Sequence, residues 1–277
     1  MNRLVLRKSK DIAAKGFAIL FAAISLALLA WILWTLVARG LPALGSHVFT
    51  RVMAPTGQDG GLLNAIIGSL IQVGLAILLG APLGILAGTY LAEMGQASRL
   101  GAMIRFVNDV LLSAPSILIG LFVHQMVVVP SGGFSGWAGA IALAILVVPV
   151  VVRATEDMLG LVPISLREAA FALGAPRWKV TTLVTWRAAR AGIATGVLLA
   201  LARAAGETAP LLFTSLGNNG WSLDLSQPMA SLPLAINQYA GTSYDDWVAL
   251  AWAGALLITA GVLTLNILTR IALMRKR

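Results

Sequence analysis

The chain has 277 residues, 58% of them hydrophobic and 11% charged, with a mean hydropathy of +0.88. Soluble domains carry about 25% charged residues and disorder needs low hydrophobicity with high net charge, so the composition argues against the first and excludes the second. A net charge of +9 would suggest a nucleic-acid partner in a soluble protein; here the placement of the charges decides, and the absence of cysteine removes disulfides, thiolate chemistry and Cys-based metal sites.

A bilayer-spanning helix needs roughly 20 apolar residues, and six stretches approach that. In chain order they are 17–38, 65–91 (with Pro82), 110–129, 134–152 (with Pro149), 192–216 (with Arg203 and Glu207) and 248–269. The first follows a basic start, Arg3, Arg7, Lys8, Lys10 and Lys15. Its apolar run is longer than the 7–15 residues of a cleaved signal and leads into Trp31, Leu33 and Trp34, so it reads as a retained span. Lys and Arg in short loops mark the cytoplasmic side. Of the 20 Lys and Arg residues, only Arg39 and Arg51 fall on the opposite side and only Arg203 within a span. Both termini are therefore expected in the cytoplasm, including the tail with Arg270, Arg275, Lys276 and Arg277. The basic face belongs to an oriented membrane protein in a lipid bilayer, and no nucleic-acid partner is expected.

The outer segment 217–247 carries Trp221, Tyr239, Tyr244 and Trp247 and no Lys or Arg. It reads either as an interfacial aromatic belt or as a surface for an external partner. The segment 153–190 is long for a connector and prone to helix. Pro163 with Ile164 and Ser165 suits a helix start, and Gly174 and Pro176 end one helix and open another. Trp178, Thr182, Leu183 and Trp186 then recur at helical spacing. The expectation is a cytoplasmic helix–turn–helix knob; the alternative is an amphipathic pair lying on lipid.

At these residues the chain resembles the permease subunits of bacterial ABC importers. Glu168, Ala169, Ala170 and Gly174 match the E-A-A…G signature, with Val184 at its later Ile position, while Trp186 and Arg187 stand where Leu-Pro is common. The resemblance implies an all-α membrane protein of six transmembrane helices in the type I ABC importer permease fold, with a cytoplasmic coupling helix pair that sits in a cleft of an ATPase subunit. The stretch 202–212, read A-R-A-A-G-E-T-A-P-L-L, is similar to the phosphate-importer permeases, of the PstA type, as are 152–158 and 250–254. Ser113-Ala114-Pro115-Ser116-Ile117 is a more general permease pattern. The similarity runs from about 64 to 270. It gives a permease domain at 64–272 with coupling loop 153–190, an extra N-terminal region at 1–63, and a tail at 273–277. It also implies partners: a homologous second permease, ATP-binding ATPase subunits, and an extracytoplasmic phosphate-binding protein. ATP and Mg would be bound by the ATPase, no cofactor by this chain, and the location would be the bacterial inner membrane.

A charge at a helix centre costs about 2.5–3.5 kcal/mol on the insertion scale, so Arg203 and Glu207 need a reason. Four residues apart, they share a helix face, with Gly192 and Gly196 nearby where a neighbour can approach. Guanidinium recognises phosphate through forked hydrogen bonds. One reading has Arg203 lining a substrate path with Glu207 restraining it; the other is a structural ion pair. Arg153 is a second path candidate, or else an anchor on the positive-inside side. Pro82 reads as a kink, static or hinging.

An ATPase in this chain is excluded, because no lysine follows the glycine of a P-loop. A rhomboid-like serine site at Gly133-Phe134-Ser135-Gly136 lacks a later base, since His47 and His124 both precede it. The remaining alternatives are an ATP-independent anion or proton-coupled secondary transporter and an ABC permease for another oxyanion.

Overall fold

The structure, a computed structural model, describes residues 2–274, with side chains described over 7–8 and 10–271. Arg275, Lys276 and Arg277 of the expected basic tail lie outside them, as does the side chain of Arg3. Among the described residues every named element is a helix. In order these are α1 (Asn2–Ala43), α2 (Ser46–Thr50), α3 (Leu63–Glu93), α4 (Arg99–Ser113), α5 (Ser116–Val123), a π segment (His124–Val128), α6 (Val129–Ser131) and α7 (Gly136–Gly160). There follow α8 (Ile164–Ala172), α9 (Arg177–Lys179), a second π segment (Val180–Thr185), α10 (Trp186–Gly206), α11 (Ala209–Leu212), α12 (Leu232–Ala240) and α13 (Asp245–Met274). Five helical stretches are each long and apolar enough to cross a membrane; the bent pair Arg99–Ser113 and Ser116–Ser131, taken as one span, makes 6.

The expected spans need two corrections. The third is not one helix. Ala114 and Pro115 are extended, with ψ 134° and 130°, and the axis turns by 104°. Pro115 has no N–H to give and pushes the preceding residue out of the helical region, so the turn sits where those two effects coincide. The fifth span stops early as well. Helix α10 ends at Gly206, Glu207 is extended (ψ 123°), and Pro210 opens the short α11. Pro82 and Pro149, by contrast, lie inside unbroken helices.

The bundle is built around α3 and α7. Gly80, Gly84 and Gly88 repeat every four residues along one face of α3, and each meets α7 where no side chain would fit. A Cβ at Gly84 would lie 2.6 Å from Val151 Cβ, and one at Gly88 2.6 Å from the Val152 carbonyl. Small residues at this spacing let helix backbones approach closely where lipid offers no hydrophobic drive. Ala81 of α3, Val147 and Val151 of α7, and Ala200 and Ala204 of α10 close the centre. Helix α1 stands largely apart, touching α13 near its end, where Gly40 fits against Trp252 and the Arg39 guanidinium sits 5.4 Å over the Trp252 ring.

Candidate functional site

Arg203 occupies the last turn of α10, and Glu207 is the residue after the helix. The two still meet, Nε to Oε1 at 3.5 Å, with the arginine 39% exposed and the acid 16%. Gly192 and Gly196 admit a neighbour as expected, and that neighbour is α7: added Cβ atoms would strike Met158 and Ala154. Arg203 lies at the edge of this contact face, beside the exposed strip formed by Thr195, Leu199 and Gly206. Arg153 is inside α7 rather than in a loop, because α7 continues to Gly160; it pairs with Asp157 at 3.2 Å and is 54% exposed. Its neighbour Ala154 is level with Gly196, seven residues or about 10 Å of helix rise from Arg203. The structure therefore does not bring Arg153 and Arg203 together; each is held by its own acid one turn on.

The coupling signature has a direct structural cause. Helix α8 carries Glu168 and Ala169 exposed and Ala170 partly covered, then ends at Leu173. Gly174 takes φ +80°, its N–H bonds the Phe171 carbonyl at 2.9 Å, and the Ala175 N–H bonds the Ala170 carbonyl at 3.2 Å. This is the two-bond Schellman cap, which calls for glycine at the left-handed position. Nothing crowds Gly174, so the glycine serves backbone conformation alone. Leu161, Ile164, Leu173 and Trp178, along the same segment, are exposed, Leu173 at 89%.

The expected second short helix has no exit. From Arg177 the chain runs through the π segment into α10 as one 30-residue helical stretch. Trp186, where the signature commonly has Leu, continues that rod and donates its Nε1–H to Thr89 Oγ1 of α3 at 3.0 Å. A proline at 187 would have lacked the N–H for this continuous helix.

Two arginines that read as ordinary loop charges turn out to be partly buried clasps. Arg105 of α4 bonds Glu156 of α7 at 2.7 Å, and also the Leu91 and Gly95 carbonyls where α3 ends, at 3.1 and 3.2 Å. Arg167 of α8 donates to the Leu159 carbonyl near the end of α7 at 2.7 Å and lies 3.1 Å from Glu93, the last residue of α3. The second contact is an ion pair by distance without an aligned hydrogen bond, since Glu93 Oε1 has no hydrogen-bond partner.

At the other end of the bundle, non-helical backbone around 213–231 packs into the core. Asn64 Nδ2 reaches the carbonyls of Asn218, Asn219 and Gly220, at 2.9, 3.1 and 3.4 Å. Gln72, fully buried in α3, donates to Ser215 Oγ and the Ala230 carbonyl, while Ser69 Oγ receives the Leu232 N–H. Together with Ser231, Leu234, Asn237 and Gln238, part of this segment lines a cavity of about 640 Å³. Asn64, Ser69 and Gln72, polar residues just before and within the apolar second stretch, are the sequence signal for this arrangement.

The sequence profile of the family described as binding-protein-dependent transport system inner membrane component matches residues 80–277. A phosphate transport system permease protein PstA of Pasteurella multocida is 57% identical, over 88% of this chain and 87% of its own. The one of Haemophilus influenzae is 52% identical over 99% of this chain and 98% of its own. A probable PstA of Methanocaldococcus jannaschii is 37% identical over 87% and 86%. Among solved structures, an inward-facing MetNI methionine ABC transporter superposes with a TM-score of 0.57 at 18% identity, covering 78% of this chain and 92% of that one, which speaks for the fold. The chain belongs to the binding-protein-dependent transport system inner membrane components, and within them to the PstA group.

Proposed function

We propose that this chain is the membrane-embedded half of an ATP-driven importer that moves inorganic phosphate into the cytoplasm. The observation that carries the reading is Arg203: a guanidinium at the end of a membrane helix, half-open on an uncovered strip and held by an acid at the long distance of 3.5 Å. Such a group can offer two parallel N–H donors to a phosphate oxygen pair. Glu207 lowers its net attraction for an anion, so that the ion can leave as well as enter. The relatives' role in phosphate transport supports phosphate as the substrate. Arg153, exposed and paired one turn on in α7, is the next positive charge along the same route.

The remaining partners follow from what is uncovered. A homologous second permease would close the Thr195–Leu199–Arg203 strip. An ATPase subunit would receive the knob of Glu168, Ala169, Ala170 and Gly174 with its apolar rim, and hydrolyse ATP with its own Mg. A phosphate-binding protein would meet the 217–247 segment at the opposite end. In this arrangement the knob and both termini face the cytoplasm of a bacterial cell, in accord with the basic residues around them.

Phosphate uptake by cells carrying Arg203→Gln at normal abundance tests the reading. Uptake should fall by about 10-fold or more, the weight of a charge-assisted contact of about 1.5–3 kcal/mol. Normal accumulation would remove Arg203 from the path.

A further inference from the structure

Helix α8 buries none of its residues. An element so exposed can move its surroundings only through what ties it to them, and the ties are few. The backbone joins it to α7 through residues 161–163 and to the α9–α10 rod through the Gly174 turn. Helix α3 has no such covalent neighbour. The polar contacts by which the knob reaches it among the described residues are Arg167 to Glu93 and Trp186 to Thr89, beside an apolar cluster in which Ala92 packs with Val162 and Ala189. Arg167 is the one that starts on α8, and it holds α3 and α7 at once: one guanidinium nitrogen lies 2.7 Å from the Leu159 carbonyl and 3.1 Å from Glu93.

The two helices it grips are the most closely packed in the molecule, through Gly80, Gly84 and Gly88. A packed pair of this kind moves as a unit, because interiors transmit strain rather than absorb it. Arg105 fastens α4 to the same two ends, to Glu156 of α7 and to the closing carbonyls of α3. A displacement of α8 is thus passed to the α3–α7 pair and from it to the bent α4–α5 span. Both side chains of the Arg167–Glu93 pair are about 15% exposed, at 16% and 14%, so the contact is little weakened by water or salt. Its hydrogen-bond geometry is incomplete, since Arg167 Nε and Glu93 Oε1 each have no hydrogen-bond partner.

We propose that Arg167 is a positioning residue for energy coupling: it converts movement of the knob into movement of the α3–α7 pair. Its loss would let the partner ATPase dock and turn over while solute moves poorly. The inference rests on the importer reading above. The test uses the whole complex, permeases with ATPase and binding protein, reconstituted in vesicles, and measures phosphate moved per ATP hydrolysed. For Arg167→Met, hydrolysis should stay within about 3-fold of wild type while the ratio falls by about 10-fold, inside the usual span of site-to-site coupling. A residue needed only for folding would lower both rates together, leaving the ratio unchanged, and that result overturns the proposal. Glu93→Gln keeps the bond to Leu159 and weakens the ion pair alone; its ratio should fall by about 3-fold. Should Arg167→Met fail to assemble, an unchanged ratio in Glu93→Gln overturns the proposal instead. A wild-type complex that hydrolyses ATP but moves no phosphate refutes the importer reading itself, a separate outcome from a normal ratio in the variants.

Discussion

The two ends of the α3–α7 pair are held by different chemistry. At the knob end, charged side chains do the holding: Arg105 with Glu156, and Arg167 with Glu93. At the far end, the same helix α3 holds the 213–231 backbone with neutral groups, Asn64, Ser69 and Gln72. The difference follows depth. The charged clasps sit where helices end and some exposure remains, 29% for Arg105 and 18% for Glu156. Gln72 lies three turns into α3 with no exposure at all. There the non-helical backbone of 213–231, packed against α3, must be satisfied without a charge, since buried backbone polar groups need partners and an unpaired buried charge is costly. Amide side chains meet that need because each brings donors for carbonyls at no charge.

A charge placed at the far end should have the largest effect. Gln72→Glu keeps the shape but removes the donor that faces the Ala230 carbonyl, 3.4 Å away, and substitutes an acid. We expect a loss of about 3–5 kcal/mol, the cost of an uncompensated buried charge. Gln72→Leu should lose only about 1–3 kcal/mol, the penalty for leaving buried acceptors unmet. Thermal unfolding of both variants in detergent checks this. Equal melting temperatures would mean that depth does not govern the choice of side chain.

The converse change at the knob end should be milder. Glu156→Gln leaves an oxygen to accept from Arg105 Nε and keeps the two bonds from that arginine to the end of α3. A loss of about 1–2 kcal/mol is expected, the difference made by charge in a partly exposed hydrogen bond. High salt should narrow the gap between wild type and variant, because the pair is not fully buried. If Glu156→Gln unfolds the protein as severely as Gln72→Glu, the two ends are not distinguished by charge.

What was legible in the sequence follows the same division. Apolar length identified the spanning stretches, because it is a local property of the chain. The knob was legible for a similar reason: the cap at Gly174 involves only Ala170 to Ala175. The breaks at Pro115 and Glu207 were not, since each hydrophobic stretch runs on past its break and the local mark is a single proline, Pro115 in one and Pro210 in the other. The clasps were invisible in another way. Arg105 finds its acid 51 residues away, and Arg167 reaches Glu93, 74 residues earlier on α3. Taken alone, each is a basic residue beside a span, indistinguishable from Arg99. Arg203 stood out only because its neighbours are apolar, and its partner, Glu207, was four residues away.

The weakest test concerns a polar group that the far end leaves unmet. Tyr239 of α12 is buried, stacks on Trp247 at 4.5 Å between ring centres, and its hydroxyl has no hydrogen-bond partner. Burial, then the nearby Asp246 carboxylate, pushes its pKa up to about 12. Tyr239→Phe removes an unsatisfied hydroxyl and keeps the ring, so at neutral pH it should change stability by less than about 1 kcal/mol, in either direction. The pH dependence separates wild type from variant. An unfolded tyrosine ionises near 10 and the folded one near 12. The neutral form is therefore the one the fold favours: its contribution is complete below pH 10 and is lost as pH rises toward 12. Melting curves should coincide up to about pH 9 and then diverge, with wild type falling faster than Tyr239→Phe. Parallel decline of the two would show that the folded hydroxyl ionises as the unfolded one does, so that burial does not hold it neutral.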